Sequence, residues 1–374
     1  MENRSCLANF ILVAFPLTYA MRTIAFYFLL FVHMVTLIGN VLVILIIWKS
    51  SILHTAMYYF LANLSFLEIC FTSSIIPKLL SILAFENHTI SFWGCFSQCY
   101  FYFLLGSVEL LLLAVMSFDR YVAVCHPLQY GVIMTPYLCL NLTLCCWVVG
   151  FMDTLIPTLL ISKVTFCKSN IIDHFFCDVE HLLKLVCSNT SLIVLINLCS
   201  SSLVVFGSLV SISISYTYII VAVTKISKVE KRWKSFSTCA SHLLVVVIIY
   251  GSSLFLCMRG TTASYLDISK LSAFMTGIVT PLLNPFIYTL RNTQTKELSK
   301  DTRNKIVALH QAGKTESAIA NQLGVKKSTE IRQLRVAFEK MFIHEIKHMS
   351  QARLLDITTE SQANKRKPRK LAKL

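Results

Sequence analysis

Seven apolar runs, each long enough to cross a bilayer as a helix, constrain this chain more than any other feature. They lie near residues 24–48, 57–83, 94–124, 138–161, 192–224, 236–258 and 268–290, and a helical crossing takes about 20 apolar residues. The third, fifth and seventh runs are interrupted by Ser, Gly, Glu or Pro. Lipid-facing surfaces avoid such residues, but surfaces packed against other helices tolerate them. The expected fold class is therefore an all-α membrane protein, a seven-transmembrane helix bundle with a small soluble C-terminal extension. Composition agrees: a chain that is 55% hydrophobic and 14% charged carries more apolar surface than a soluble domain of its length hides.

The net charge of +15 is unevenly spread. Residues 292–374 hold 18 Lys and Arg against 8 Asp and Glu, so two thirds of the excess belongs to the tail and needs its own explanation. In the short loops, basic residues gather between Lys225 and Lys234. With seven spans, that loop and the tail share a side, which the positive-inside bias makes cytoplasmic. The N-terminus is then extracellular and the protein a multi-pass protein of the plasma membrane. Residues 1–22 lack a cleavable-signal pattern, so the first span is expected to direct its own insertion.

Of the sequons at Asn3, Asn87, Asn141 and Asn189, Asn3 is the best glycosylation candidate, because only a sequon on the lumenal side is modified. Most of the 14 cysteines fall inside spans, where a thiol is a small apolar filler. Four are different: Cys95 opens the third span on the outer side, and Cys167, Cys177 and Cys187 recur at ten-residue intervals between the fourth and fifth. They sit where an extracellular loop would permit disulfides, and four cysteines allow three pairings.

The third span ends in Met116-Ser117-Phe118-Asp119-Arg120-Tyr121-Val122-Ala123-Val124-Cys125, which resembles the MAYDRYVAIC signature of odorant receptors of the rhodopsin-like class. Further matches follow the same order: Gly39-Asn40, Leu64 to Glu68, Ser215-Tyr216, Lys234 to His242, and Pro281 to Tyr288. Ala56, Phe118 and Ser235 depart from the family's usual proline, tyrosine and alanine. The resemblance covers residues 1–292 and implies two disulfides, Cys95 with Cys177 and Cys167 with Cys187. It implies an odorant ligand and a heterotrimeric G protein as partners, with a rise in cAMP as the output. It also implies a switch in which Arg120, held by Asp119 at rest, is freed toward Tyr216 and Tyr288, with Asn284-Pro285 as a hinge. On the residues alone, Asp119 and Arg120 could equally be an interfacial anchor, and His242 a polar residue at the interface rather than part of the switch.

Glu68 and Glu109 carry the sharpest physical signal. At about 1.5 Å per residue, Glu68 lies roughly 17 Å in from Met57 and Glu109 roughly 15 Å in from Asp119. Two acids at one depth either share a proton, hold a cation, or serve as structural hydrogen-bonding groups. In similar receptors a sodium-type site lies here, beside Asn40 and Asn284. Toward the outside, the resemblance places an odorant pocket among Tyr102, Phe103, Gly106, Ser107, Ser200, Val204, Tyr250, Ser253, Leu254, Phe274 and Gly277. This lining is apolar with a few hydroxyls and shows no ionised group, which favours a neutral ligand over an amine. Nothing resembles a hydrolase, a phosphate loop or a closed metal cluster, so neither catalysis nor a cofactor is expected. A transporter or channel would predict repeat symmetry or further intramembrane charges.

The tail, residues 293–374, is read as a separate basic cytoplasmic segment. Residues 294–329 resemble the helix-turn-helix of a mariner-type transposase, with helices expected from Asp301 to Gln311, from Thr315 to Leu323 and from Ser328 onward. The resemblance stops at Glu330, before the residues that would read bases, and no acidic catalytic domain follows. The basic cluster Lys365 to Lys370 is read as a solvated end that can touch anionic lipid, and nucleic acid is not an expected partner.

Overall fold

The computed structural model describes residues 9–50, 53–166, 169–225, 239–240, 242–252, 264–285 and 287. In chain order the elements are β1 (Asn9–Leu12), α1 (Tyr19–Lys49), α2 (Ala56–Phe85), β2 (Thr89–Ser91), α3 (Phe92–Cys125), α4 (Tyr130–Ile133), α5 (Pro136–Ser162), β3 (Ile171–Ile172), α6 (Val179–Lys184) and α7 (Ser191–Thr224). Helices α1, α2, α3, α5 and α7 are each long and apolar enough to cross a membrane. Parts of the sixth and seventh expected spans follow as α8 (His242–Ser252) and α9 (Ser264–Phe274), which continues through a π-helical turn, Met275–Val279. The rest of those spans, the sequon at Asn3 and the whole of 293–374 lie outside the described residues.

Local chemistry sets the helix ends. Ser91 caps α3 by accepting from the Gly94 N–H at 3.1 Å, and Thr135 caps α5 by accepting from Leu138 at 3.2 Å, with Pro136 in the first turn where its missing N–H costs nothing. Helix α3 is central, packing against α2, α5 and α7. Against α5 the approach is tight: a Cβ at Gly150 would stand 2.6 Å from Val108 Cγ2 and 3.4 Å from the Leu104 carbonyl. Only glycine lets those backbones approach so closely. The outward faces instead display Tyr27, Phe31, Trp48 and Leu203, large apolar groups that lipid, not water, must cover.

Beside the helices there is one small element of another kind. Three segments distant in sequence meet at one end of the bundle as a small sheet of order β2-β1-β3. Strand β1 runs antiparallel to β2 and parallel to β3. The backbone groups of these connecting segments, brought together over the helix ends, satisfy one another. Phe10 and Leu12 point down from β1 and are fully buried, with Phe10 against the Phe92 and Phe166 rings.

The π turn has a covalent cause. Pro281 has no N–H, and its ring crowds the carbonyl of Gly277 four residues earlier. The ladder widens just ahead of it, and Thr280 Oγ1 donates to the Met275 carbonyl at 3.0 Å. This irregularity lies one turn before the Asn284-Pro285 hinge read from the sequence. Pro285 itself packs on Gly39, where a Cβ would come within 3.3 Å of its ring.

Candidate functional site

Three polar layers are stacked through the apolar bundle. In the middle one, Glu68 of α2, Glu109 of α3, Asn40 of α1 and Asn284 beyond α9 are all at most 4% exposed. Asn284 Nδ2 donates to Glu68 Oε1, and Asn40 Nδ2 donates to the Thr36 and Pro281 carbonyls at 3.1 and 3.3 Å. Four oxygens are left over: Glu68 Oε2, Glu109 Oε1, Asn40 Oδ1 and Asn284 Oδ1 are buried without a hydrogen-bond partner. Buried acceptors in surplus call for protons or a cation, since an unpartnered polar group is costly away from water. The donor set, carboxylate and amide oxygen, suits a hard cation. Among the described residues no group of three or more His, Cys, Asp or Glu could hold a metal.

At the end of the bundle opposite the sheet, Asp119 Oδ2 accepts from Arg120 Nη2 at 2.6 Å and from Nε at 3.1 Å. Its other oxygen accepts from the Tyr130 hydroxyl on α4 at 2.7 Å. Asp119 is 1% exposed and Arg120 9%. In a charge pair this enclosed each partner depends on the other for compensation. Tyr216 is engaged elsewhere: its hydroxyl lies 2.7 Å from His242 Nδ1, and the two rings stack at 5.8 Å. His242 is buried. Tyr288 lies outside the described residues.

The sheet end is closed by the segment between β3 and α7. Cys177 is disulfide-bonded to Cys95 at the start of α3, and its backbone N–H donates to Gln98 Oε1 at 3.1 Å. Gln98 in turn donates to the Ser74 carbonyl on α2 at 3.0 Å. Cys187 is also disulfide-bonded, while Cys167, the partner the resemblance implies, lies outside the described residues. Phe176 packs on the Tyr102 ring at 4.2 Å, so this segment forms the roof over the expected pocket. Lys270 of α9 ties it from another side, 2.7 Å from Asp173. Burial pushes the His174 imidazole in this roof down to about 4. A base held neutral in this way stabilises the fold above its ordinary value near 6.5, and that contribution is lost as pH falls from there toward 4.

The pocket residues read from the sequence separate into subsets. Tyr102, Gly106 and Gly277 cluster with Phe71: the Tyr102 ring is 5.1 Å from Phe71, and a Cβ at Gly106 or Gly277 would come within 3.8 or 3.4 Å of it. Ser107 faces the other way, toward α5. Tyr250 ties α8 to α3 by donating to the Leu110 carbonyl at 3.2 Å. Val204 is buried on α7, whereas Phe103, Ser200 and Phe274 are half-buried. Ser253 and Leu254 lie outside the described residues.

A sequence profile described as Olfactory receptor matches residues 29–307, well over half of the chain. The chain belongs to the olfactory receptor family. It is 46% identical to human Olfactory receptor 6J1 over 297 residues, which is 79% of this chain and 86% of that one. It is also 46% identical to human Olfactory receptor 6S1 over 301 residues, 80% of this chain and 91% of the relative. The squid rhodopsin structure superposes with a TM-score of 0.58 at 16% identity, covering 73% of this chain and 78% of that one, a likeness of fold alone. This olfactory receptor is accordingly a multi-pass membrane protein with a seven-helix, rhodopsin-like bundle, and a receptor rather than an enzyme.

The departures from the olfactory receptor motifs have local explanations. Ala56 is the first residue of α2, a position where proline is favoured only because its N–H would be unused, so alanine serves as well. Phe118 is half-buried with its ring 6.2 Å from Tyr121, a packing that needs no hydroxyl. Ser235 lies outside the described residues. One polar residue of this olfactory receptor was passed over in the sequence: Asp153 of α5, whose Oδ2 accepts from Ser107 Oγ at 2.8 Å.

Proposed function

We propose that this olfactory receptor binds small, neutral volatile molecules within its bundle and activates a heterotrimeric G protein of the stimulatory olfactory type, raising cAMP. The observation that carries the reading is the buried Asp119–Arg120 pair, a latch closed at the end of the bundle away from the roofed pocket. Arg120 is held at rest and released toward Tyr216 and Tyr288 when the G protein docks. His242 restrains Tyr216 until then, and Asn284 and Pro285 transmit the movement. The receptor sits in the plasma membrane with its N-terminus outside, glycosylated at Asn3, and its C-terminus in the cytosol. Ligand contacts come from Tyr102, Phe103, Gly106, Ser107, Ser200, Val204, Tyr250, Ser253, Leu254, Phe274 and Gly277, and a second disulfide joins Cys167 to Cys187. Residues 293–374 form a basic cytoplasmic tail carrying a transposase-like remnant at 294–329 that binds no DNA.

The test is odorant-evoked cAMP in cells expressing the full chain, beside a form lacking residues 301–374. Responses to neutral volatiles support the reading. Activation by simple amines alone would overturn the ligand class, and a larger response after truncation would show that the tail obstructs docking.

Glu68 and Glu109 are proposed as the carboxylates of a sodium site completed by Asn40 and Asn284, whose leftover oxygens support it. Bound sodium would supply the positive charge that this layer lacks. Replacing sodium by choline around washed membranes is expected to change agonist potency by about fivefold or more, the lower end of ordinary allosteric coupling. Glu68→Gln is expected to remove that dependence. A wild-type receptor indifferent to sodium leaves the layer as a proton-sharing or structural one.

A further inference from the structure

The geometry points to Asp153 as the residue that selects the ligand's head group, favouring neutral odorants that carry a hydroxyl over carbonyl or ether compounds of the same shape. This rests on the odorant-binding reading above and makes it more specific. Asp153 lies one helical turn beyond Gly150, which packs tightly on Val108 of α3. Buried Thr154 and Pro157 continue that packed face, and Asp153 flanks it on the side toward α7. Ser200 of α7 stands near enough to interact with the same carboxylate. Asp153 and Ser200 each lie nine residues from the helix end nearest the roof, so both sit about 14 Å deep at 1.5 Å per residue.

The hydrogens in this seam are already committed. Ser107 donates its only hydroxyl hydrogen to Asp153 Oδ2, and Ser200 donates its own to the Asn197 carbonyl at 3.3 Å. The Asp153 carboxylate offers about four lone-pair sites, more than the Ser107 and Ser200 hydroxyls beside it can fill. The seam therefore presents acceptors and lacks a donor. A ligand hydroxyl supplies one, donating to Oδ1 while its carbon chain lies toward buried Val204, one turn along α7. An aldehyde or ether oxygen brings only a further acceptor, which meets the carboxylate with repulsion. Such mismatches at a polar contact discriminate more strongly than an added methylene does.

The experiment compares octanol, octanal, methyl heptyl ether and octylamine on cells expressing the full chain, with surface receptor counted through an N-terminal tag and forskolin confirming the cAMP readout. Octanol is expected to be the most potent of the four. Asp153→Leu is expected to raise its half-maximal concentration by about tenfold or more, the loss of a hydrogen bond to a charged acceptor. Asp153→Asn, which keeps one acceptor oxygen, should raise it less, and both variants should make octanal more potent by relieving the repulsion. A loss of potency common to octanol and octanal would make Asp153 a positioning residue for the α3–α5–α7 seam and overturn the proposal. Unchanged potency in both variants would do so too, as would octylamine as the sole activator. Silence toward all four from receptor present at the surface would remove the odorant-binding reading and this proposal with it.

Discussion

Serine in place of Cys177, or of Cys95, is expected to keep the receptor from the cell surface almost entirely. The bond closes a sequence separation of 82 residues, and constraining a loop of that size in the unfolded chain is worth about 4–5 kcal/mol, comparable with the whole stability of many domains. More than chain entropy is at stake. The same cysteine delivers Phe176 onto Tyr102 and directs a backbone N–H to Gln98, so the roof loses its anchor at the point where it meets α3 and α2. Surface labelling of a tagged receptor is the measurement, with Gln98→Ala as the companion: it leaves the covalent tie and removes only the hydrogen bonds, and should cost far less. Normal surface levels for both cysteine variants would mean that the strands and the Lys270–Asp173 pair hold the roof unaided.

Asp119→Ala should produce a receptor that is both scarcer and noisier. Removing the carboxylate leaves Arg120 enclosed with no counter-charge, a loss of about 3–5 kcal/mol for a buried pair, and it frees the guanidinium from its resting place. Agonist-independent cAMP per surface receptor is expected to rise, whereas Arg120→Ala should be silent. Tyr130→Phe removes a single hydrogen bond to the same carboxylate and should show the Asp119→Ala behaviour weakly. Asp119→Ala with basal cAMP equal to wild type at matched abundance would mean that the pair is structural.

The bilayer made most of this architecture readable, because it imposes a length and a polarity that composition cannot disguise. The third run, expected at 94–124, is helical from Phe92 to Cys125. Counting residues puts Glu68 and Glu109 at one depth, and both are buried, Glu68 against Asn284. The three-stranded sheet was not readable. Its strands are two to four residues long, and each becomes a strand only because a remote segment lies beside it. Asp153 was missed for a related reason: its serine partners come from α3, 46 residues earlier, and from α7. A lone acid in one apolar run announces no neighbour. His242 is a lone histidine just inside the sixth run, and nothing in that run announces Tyr216, the partner that another helix brings to it.

The widened turn at Met275–Val279 holds one residue more than an α-helical path of the same height. Deleting a residue within it would let the ladder close into ordinary α spacing with both flanks still facing their present neighbours. The same deletion between Thr280 and Asn284 would swing everything beyond it by about 100°, carrying Asn284 off Glu68 and Pro285 off Gly39. Tolerance to length change in this helix is thus confined to a five-residue window, and the part that follows behaves as a key cut for a single angular setting.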